Sequence, residues 1–260
     1  MKKIIGLFLI ALLPAAFMVG CGSNSTPSSS GSSATATPTA VPVVAGPAAL
    51  SLGAAGSFAV LANSGITNNA ENVCGSLGEY PGTSSTGTVA VLSCGGVNDI
   101  GNAAADTAMA AIFALNTGAY NVGLAMTGPT LISGSLGSGQ SLAPGFYSPT
   151  ASGNSFSLSG TLTLNNTGGN PNNVYIFSTT AGSPGTISTA ANSQIVLVNV
   201  QAANVFWIAG TSITLGGTSS FAGNLMANTT IQFGANATLE GRAYSNTAIT
   251  FGASNTISNP

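Results

Sequence analysis

The chain has 260 residues, of which only 3% are charged: three basic, five acidic and no histidine. So few cations exclude nucleic acid as a partner, because phosphates need clustered Lys and Arg, and they exclude electrostatic attachment to an anionic surface. Without histidine, Ser-His and Cys-His catalysis are out, and a zinc site built on cysteines is disfavoured.

In chain order, Lys2 and Lys3 precede an apolar run from Ile4 to Gly20. The run is too short and too proline-interrupted for a membrane span, so residues 1–20 read as an export signal. "MVGC" at Met18 to Cys21 resembles a bacterial lipoprotein processing box, in which Cys21 becomes the lipid-bearing N-terminus. The plain alternative is an ordinary signal peptide with an incidental cysteine. Residues 21–46, rich in Ser, Thr, Pro and Ala, cannot bury a core and read as a flexible tether. Removal of the signal leaves Arg242 alone against Glu71, Glu79, Asp99, Asp106 and Glu240. The expectation is an exported chain, lipid-anchored to the cell envelope at its outer surface, or secreted.

Residues 47–260 are long enough for one sizeable domain. Leu52 to Thr67 alternates like a first strand pair. Residues 68–101 show little periodicity and read as a loop or capping insertion, pinned by a disulfide between Cys74 and Cys94. That bond would close a loop worth roughly 3 kcal/mol of chain entropy; two free thiols are the alternative. Residues 102–118 break the β pattern, with a cap at Asn102, a stop at Gly118 and helix formers between. Ala105, Ala108, Met109, Ile112, Phe113 and Leu115 give this helix a broad apolar face, which must lie against something larger.

Beyond residue 140 the segments are short and β-like, and from Ile195 onward they repeat. Ile213, Ile231 and Ile249 follow one another at steps of 18. Leu215, Phe233 and Phe251 keep the same step, as do Gly216, Gly234 and Gly252. A fixed period with apolar residues held in place marks a coil that stacks on itself. Alternation within "SITLG" and "AITFG" is strand period. The fold class expected is mainly β: a right-handed, three-sided parallel β-solenoid with one long α-helix along its flank. The strands "VFWIAG", "NLMAN" and "RAYSN" carry large apolar residues in both parities and are assigned to the helix flank. The strands before them in each repeat present Thr211, Ser212 and Thr214, then Thr229, Thr230 and Gln232, then Thr247, Ala248 and Thr250. Stacked coils would set these as an uncharged ladder of hydroxyls and methyls, stiffened by the β-branched Thr. Strand propensity alone also favours Thr at such places.

Reactive groups are scarce. Glycoside hydrolysis needs a facing pair of acids, whereas the repeats hold only Glu240, beside Arg242, and two residues sharing a strand face would simply pair. Trp207 could stack on a sugar, but a core or helix-facing place suits it better. Neither a cofactor nor a metal is expected.

Taken together, "LGAAGSFAVLANSGIT", "LAPGFYS", "GTLTLNNTGGNPNNVYIFSTT", "QAANVFWIAGTSITLGGTSSFAGNLMANTTI" and "GRAYSNTAIT" stand in one order that resembles the bacterial and fungal ice-binding proteins of the DUF3494 type. The resemblance covers Leu52 to about Ile257. It implies a discontinuous β-solenoid beside a long helix, a non-enzymatic protein, and an ice-binding site on a flat solenoid face. Some members carry Thr-Ala/Gly-x-Thr/Asn there. "TAIT" at Thr247 to Thr250 fits in full, "TSIT" and "TTIQ" fit more loosely, and "SGIT" adds Ser64 and Thr67. The partner implied is the ice surface, with the membrane met only through a lipid anchor and the chain a monomer. Two other readings stay open. A lipid-anchored adhesin or carbohydrate-binding solenoid requires an accessible Trp207, and a cell-wall polysaccharide enzyme requires Glu240 for turnover.

Overall fold

The computed structural model describes residues 47–88, 91–111, 128–150, 154–180 and 185–260. The export signal, Cys21, the tether, and the second half of the expected helix with Ile112, Phe113 and Leu115 lie outside the described residues.

The described residues form twenty-three short strands, paired in parallel in two sheets, and one helix. The strands fall into three rows. The eight-stranded sheet is one of them, called here the face row: Ser135–Gly137, Phe156–Ser159, Ile187–Thr189, Ile213–Leu215, Thr230–Phe233, Ala248–Phe251, Gly65–Asn69 and Thr86–Thr88. The larger sheet holds the other two. The helix row runs from Thr130–Ile132 through Tyr175–Ser178 and Val205–Ala209 to Phe58–Ala62 and Ser76–Glu79. The third row runs from Gln140–Leu142 through Thr161–Asn165 and Gln194–Val198 to Thr256–Ser258 and Asn72–Cys74. Two long strands, Ser220–Ala227 and Thr238–Ser245, serve both rows of the larger sheet. Each contains a glycine with positive φ, Gly223 at +116° and Gly241 at +154°.

The order in space is not the order in sequence. Phe58–Ala62 pairs with Thr238–Ser245, and Gly65–Asn69 pairs with Ala248–Phe251. The stretch Leu52 to Thr67 is therefore no strand pair: after a 3-10 turn at Gly53–Ser57 its two strands enter different rows, each laid on a C-terminal strand. Residues 68–101, expected as a loop or capping insertion, form five short strands that extend all three rows. They do lie at one end of the stack. Strands of three or four residues, broken by glycines, are too short to display a period in sequence. The Cys74–Cys94 disulfide is present, with Cα atoms 5.0 Å apart, tying Asn72–Cys74 to the turn after Val91–Ser93.

Inward side chains of the three rows make one continuous core. Its face-row wall is a ladder of Ile66, Ile249, Ile231, Ile213 and Ile187 in direct register. Trp207 is inside it, 1% exposed and stacked on Phe177 with ring centroids 4.0 Å apart, and its Nε1–H donates to the Ala222 carbonyl at 2.9 Å. The outward residues of the helix row form a second cluster. Phe206, Ile208, Met226 and Tyr244 meet Ala105, Ala108 and Met109 of the helix, α1, described over 103–111. Strands apolar on both sides are thus covered on both sides. Asn102 caps α1, its Oδ1 accepting from Ala105 N–H at 3.0 Å. Tyr244 donates its hydroxyl to the Ala55 and Phe58 carbonyls, fixing the N-terminal turn, and burial pushes its pKa up so that it remains a donor.

Two buried carboxylates, Glu71 and Glu79, are each left with one unpartnered oxygen. Glu71 is fully buried; one oxygen accepts from Asn69 N–H at 2.7 Å and the other, Oε1, has no partner. Burial raises its pKa above the ordinary 4.5, and the backbone hydrogen bonds offset this only in part. A raised acid binds more protons folded than unfolded just above pH 4.5, so stability declines as pH rises through that window. Glu71→Gln is expected to remove this decline and to raise the melting temperature at pH 7 by about 2–4 °C, for about 1 kcal/mol gained. Thermal melts of both forms at pH 4 and pH 7 check it: the two curves converge at the lower pH.

Candidate functional site

Along each face-row strand the β pleat alternates core and solvent positions. The inward positions are the isoleucines above, with Leu215, Phe233 and Phe251 two residues on. The outward position between them is occupied, rung by rung in register, by Ser135, Ser157, Ser188, Thr214, Gln232, Thr250, Thr67 and Thr86. All eight are exposed except Ser188, which is half-buried. At about 4.8 Å per rung the column is roughly 33 Å long. In a second outward column Thr230 pairs with Ala248 and Ala248 with Gly65; Ser212 and Thr186, one residue before Ile213 and Ile187, extend it, Ile187 N–H donating to Ser212 O at 3.0 Å. No strand of this sheet contains a charged residue.

The residues expected from sequence divide between these columns and the corner that feeds them. Thr214, Gln232, Thr250 and Thr67 share the first column, and Ser212, Thr230 and Ala248 share the second. Thr211, Thr229, Thr247 and Ser64 form the corner. There Thr229 N–H donates to Thr211 O at 2.8 Å, and Ser64 N–H donates to Thr247 O at 2.7 Å. Two corner hydroxyls are engaged by backbone, Thr211 Oγ1 with Gly185 O and Ser64 Oγ with Thr247 O, each at 3.0 Å. Behind them Asn246 Nδ2 donates to Asn228 Oδ1 at 3.2 Å, one turn of coil stacked on the next. Ser135, Ser157, Thr186, Ser188 and Thr86 are on the same sheet face but were not anticipated. Only the local alternation of "SFSLSG" and "TISTA" hints at the serines, because the coils there are longer and unequal.

The other candidates are elsewhere. Glu240 and Arg242 have the same parity, but Gly241 turns the strand between them, so Glu240 is on the third row and Arg242 on the helix row. Among the described residues no ion pair joins them. Arg242 instead donates to Gly56 O, Asn224 Oδ1 and Pro260 O at 3.2, 3.0 and 3.4 Å. The burial of Trp207 removes the exposed aromatic that the carbohydrate-binding reading required.

Residues 60–258 match the family model described as Ice-binding-like. The chain belongs to the ice-binding-like family. Among relatives in this family, an ice-binding protein of Nostoc sp. (strain HG1) is 37% identical over 177 residues, covering 68% of the chain and 61% of that protein. The chain thus spans less than two thirds of that relative's length. Ice-binding protein K3-B1 of Typhula ishikariensis is 30% identical, covering 70% of the chain and 79% of its own length. The crystal structure of an ice-binding protein from the Antarctic ascomycete Antarctomyces psychrotrophicus superposes with a TM-score of 0.69 at 32% identity, over 81% of the chain and 98% of that structure. The ice-binding-like fold, mainly β with parallel sheets and one helix, is therefore shared across bacterial and fungal members.

Proposed function

We propose that this chain binds ice through the face row and so opposes ice growth and recrystallisation. The observation that carries the reading is the uncharged, eight-rung column from Ser135 to Thr86 beside a column of hydroxyls, methyl and hydrogen. Ice is a flat, neutral, periodic ligand. A fixed wall whose hydroxyls and methyls recur at the strand spacing holds an ordered layer of water that merges with the lattice. Each contact is weak, but many act together and little ordering entropy is lost, since β-branched side chains on a packed sheet are already set. Adsorbed molecules then pin the growing crystal between them. We read the three rows as the sides of a right-handed, three-sided coil, the face row being the flat side.

The third row supports the choice of face by contrast. It also bears Thr161, Thr238 and Thr256, but it carries the charge of Glu240 and exposed Val196 and Val198. The sequence around Cys21 favours export and lipid anchoring, which would place a monomeric domain outside the cell, either protecting its exterior or holding it to ice.

The test is a recrystallisation assay on the purified chain beginning near residue 47. Small crystals that persist during annealing are expected; coarsening at the rate of plain buffer rejects the reading.

A further inference from the structure

The third row contains a cleft that the proposed ice-binding face does not use. Strand Gln194–Val198 shares a single register pair, Gln194 with Ser220, with the next strand of its row, and the two then part. The gap holds a cavity of about 310 Å³. Leu197, half-buried, gives it apolar surface over a floor of the buried Ile195, Phe221 and Leu239, and Ser220, Thr238 and Glu240 add polar groups. Val196 and Val198 stand exposed on the neighbouring strand at 38% and 37%. Glu240 is the only acidic residue among those lining the cavity, no basic residue lines it, and Glu240 is exposed.

We propose that this cleft is a docking site for an aliphatic cation, presented as a lysine side chain of another protein. A lysine stem lies along apolar surface while its ammonium seeks a carboxylate and hydroxyl acceptors, and the cleft offers those two kinds of surface side by side. Charge complementarity also excludes a second copy of this domain as the occupant. Arg242 is the only basic residue between 47 and 260, and its guanidinium is held by Gly56, Asn224 and Pro260. The face row meanwhile remains free for ice, so a molecule docked at the third row need not compete with the crystal.

The probe is n-pentylammonium, titrated into the isotope-labelled chain with amide shifts followed by NMR. Expected are saturable shifts clustered at Ser220, Thr238, Glu240 and Ser258, weakened by salt. Glu240→Gln is expected to lower the affinity about two- to fivefold, the loss of one exposed charge-assisted contact, while ice shaping is unchanged. 1-Pentanol at the same concentrations is the neutral control. Equal shifts with 1-pentanol, an affinity unchanged by Glu240→Gln, or no clustered shifts with the ammonium each overturn the proposal. Loss of ice binding in the wild-type chain would bear on the face row alone.

Discussion

With Thr250 replaced by glutamate, the purified chain is expected to leave ice crystals to grow and coarsen as in plain buffer, while its melting temperature stays close to that of the parent. Thr250 is an interior rung of the exposed column, in register with Gln232 on one side and Thr67 on the other. A carboxylate there keeps its own hydration shell, and stripping that shell against a neutral lattice costs several kcal/mol. No cation in the eight-stranded sheet offsets it. The side chain points to solvent, so the fold should lose no more than about 0.5 kcal/mol. Ice shaping under the microscope and a thermal melt on the same sample are the two readouts. A folded Thr250→Glu chain that shapes ice like the parent rejects this face. Thr238→Glu, on the third row, should leave shaping intact and guards against a general effect of charge.

The second large effect concerns the fold itself. Gly241→Ala is expected to destabilise the domain by more than about 3 kcal/mol and to abolish ice shaping through unfolding. A Cβ at Gly241 would stand 2.0 Å from the carbonyl oxygen of Gly223 on the neighbouring rung, and the φ of +154° is one that side-chain-bearing residues rarely adopt. Gly223 stands in a close approach of the same kind: a Cβ added there would be 2.9 Å from Val205. Circular dichroism on heating separates this outcome from that of Thr250→Glu, in which only the ice assay changes.

The part of the fold that could be read from the sequence is the part that repeats evenly. Ile213, Ile231 and Ile249 recur at one step and are in direct register, so the polar residues between them could be placed on one face before any coordinates were known. The double-sided strands announced the helix flank for the same reason: Trp207 faces the core and Ile208 faces α1. Legibility ends where coil lengths vary. Ser157, Ser188 and Thr214 are stacked neighbours, yet the segments joining them differ in length, and no fixed step relates them. Residues 68–101 were obscured because each strand there supplies only one or two inward side chains. The Glu240–Arg242 pairing failed on a corner: parity along a strand is local, and it says nothing about where a glycine turns the chain between two residues.

The way the first coil rests on the last has a kinetic consequence. Phe58–Ala62 lies between Ser76–Glu79, close in sequence, and Thr238–Ser245, far from it, and Asn72–Cys74 lies against Thr256–Ser258, the last strand described. Contacts of such sequence separation carry the full entropy of closing a long loop and form late and slowly. A chain still emerging from the ribosome has made the N-terminal strands long before the surface that receives them exists. Docking of this end of the domain must therefore await synthesis through Ser258, and until then its earliest strands, paired locally with one another, keep one edge open.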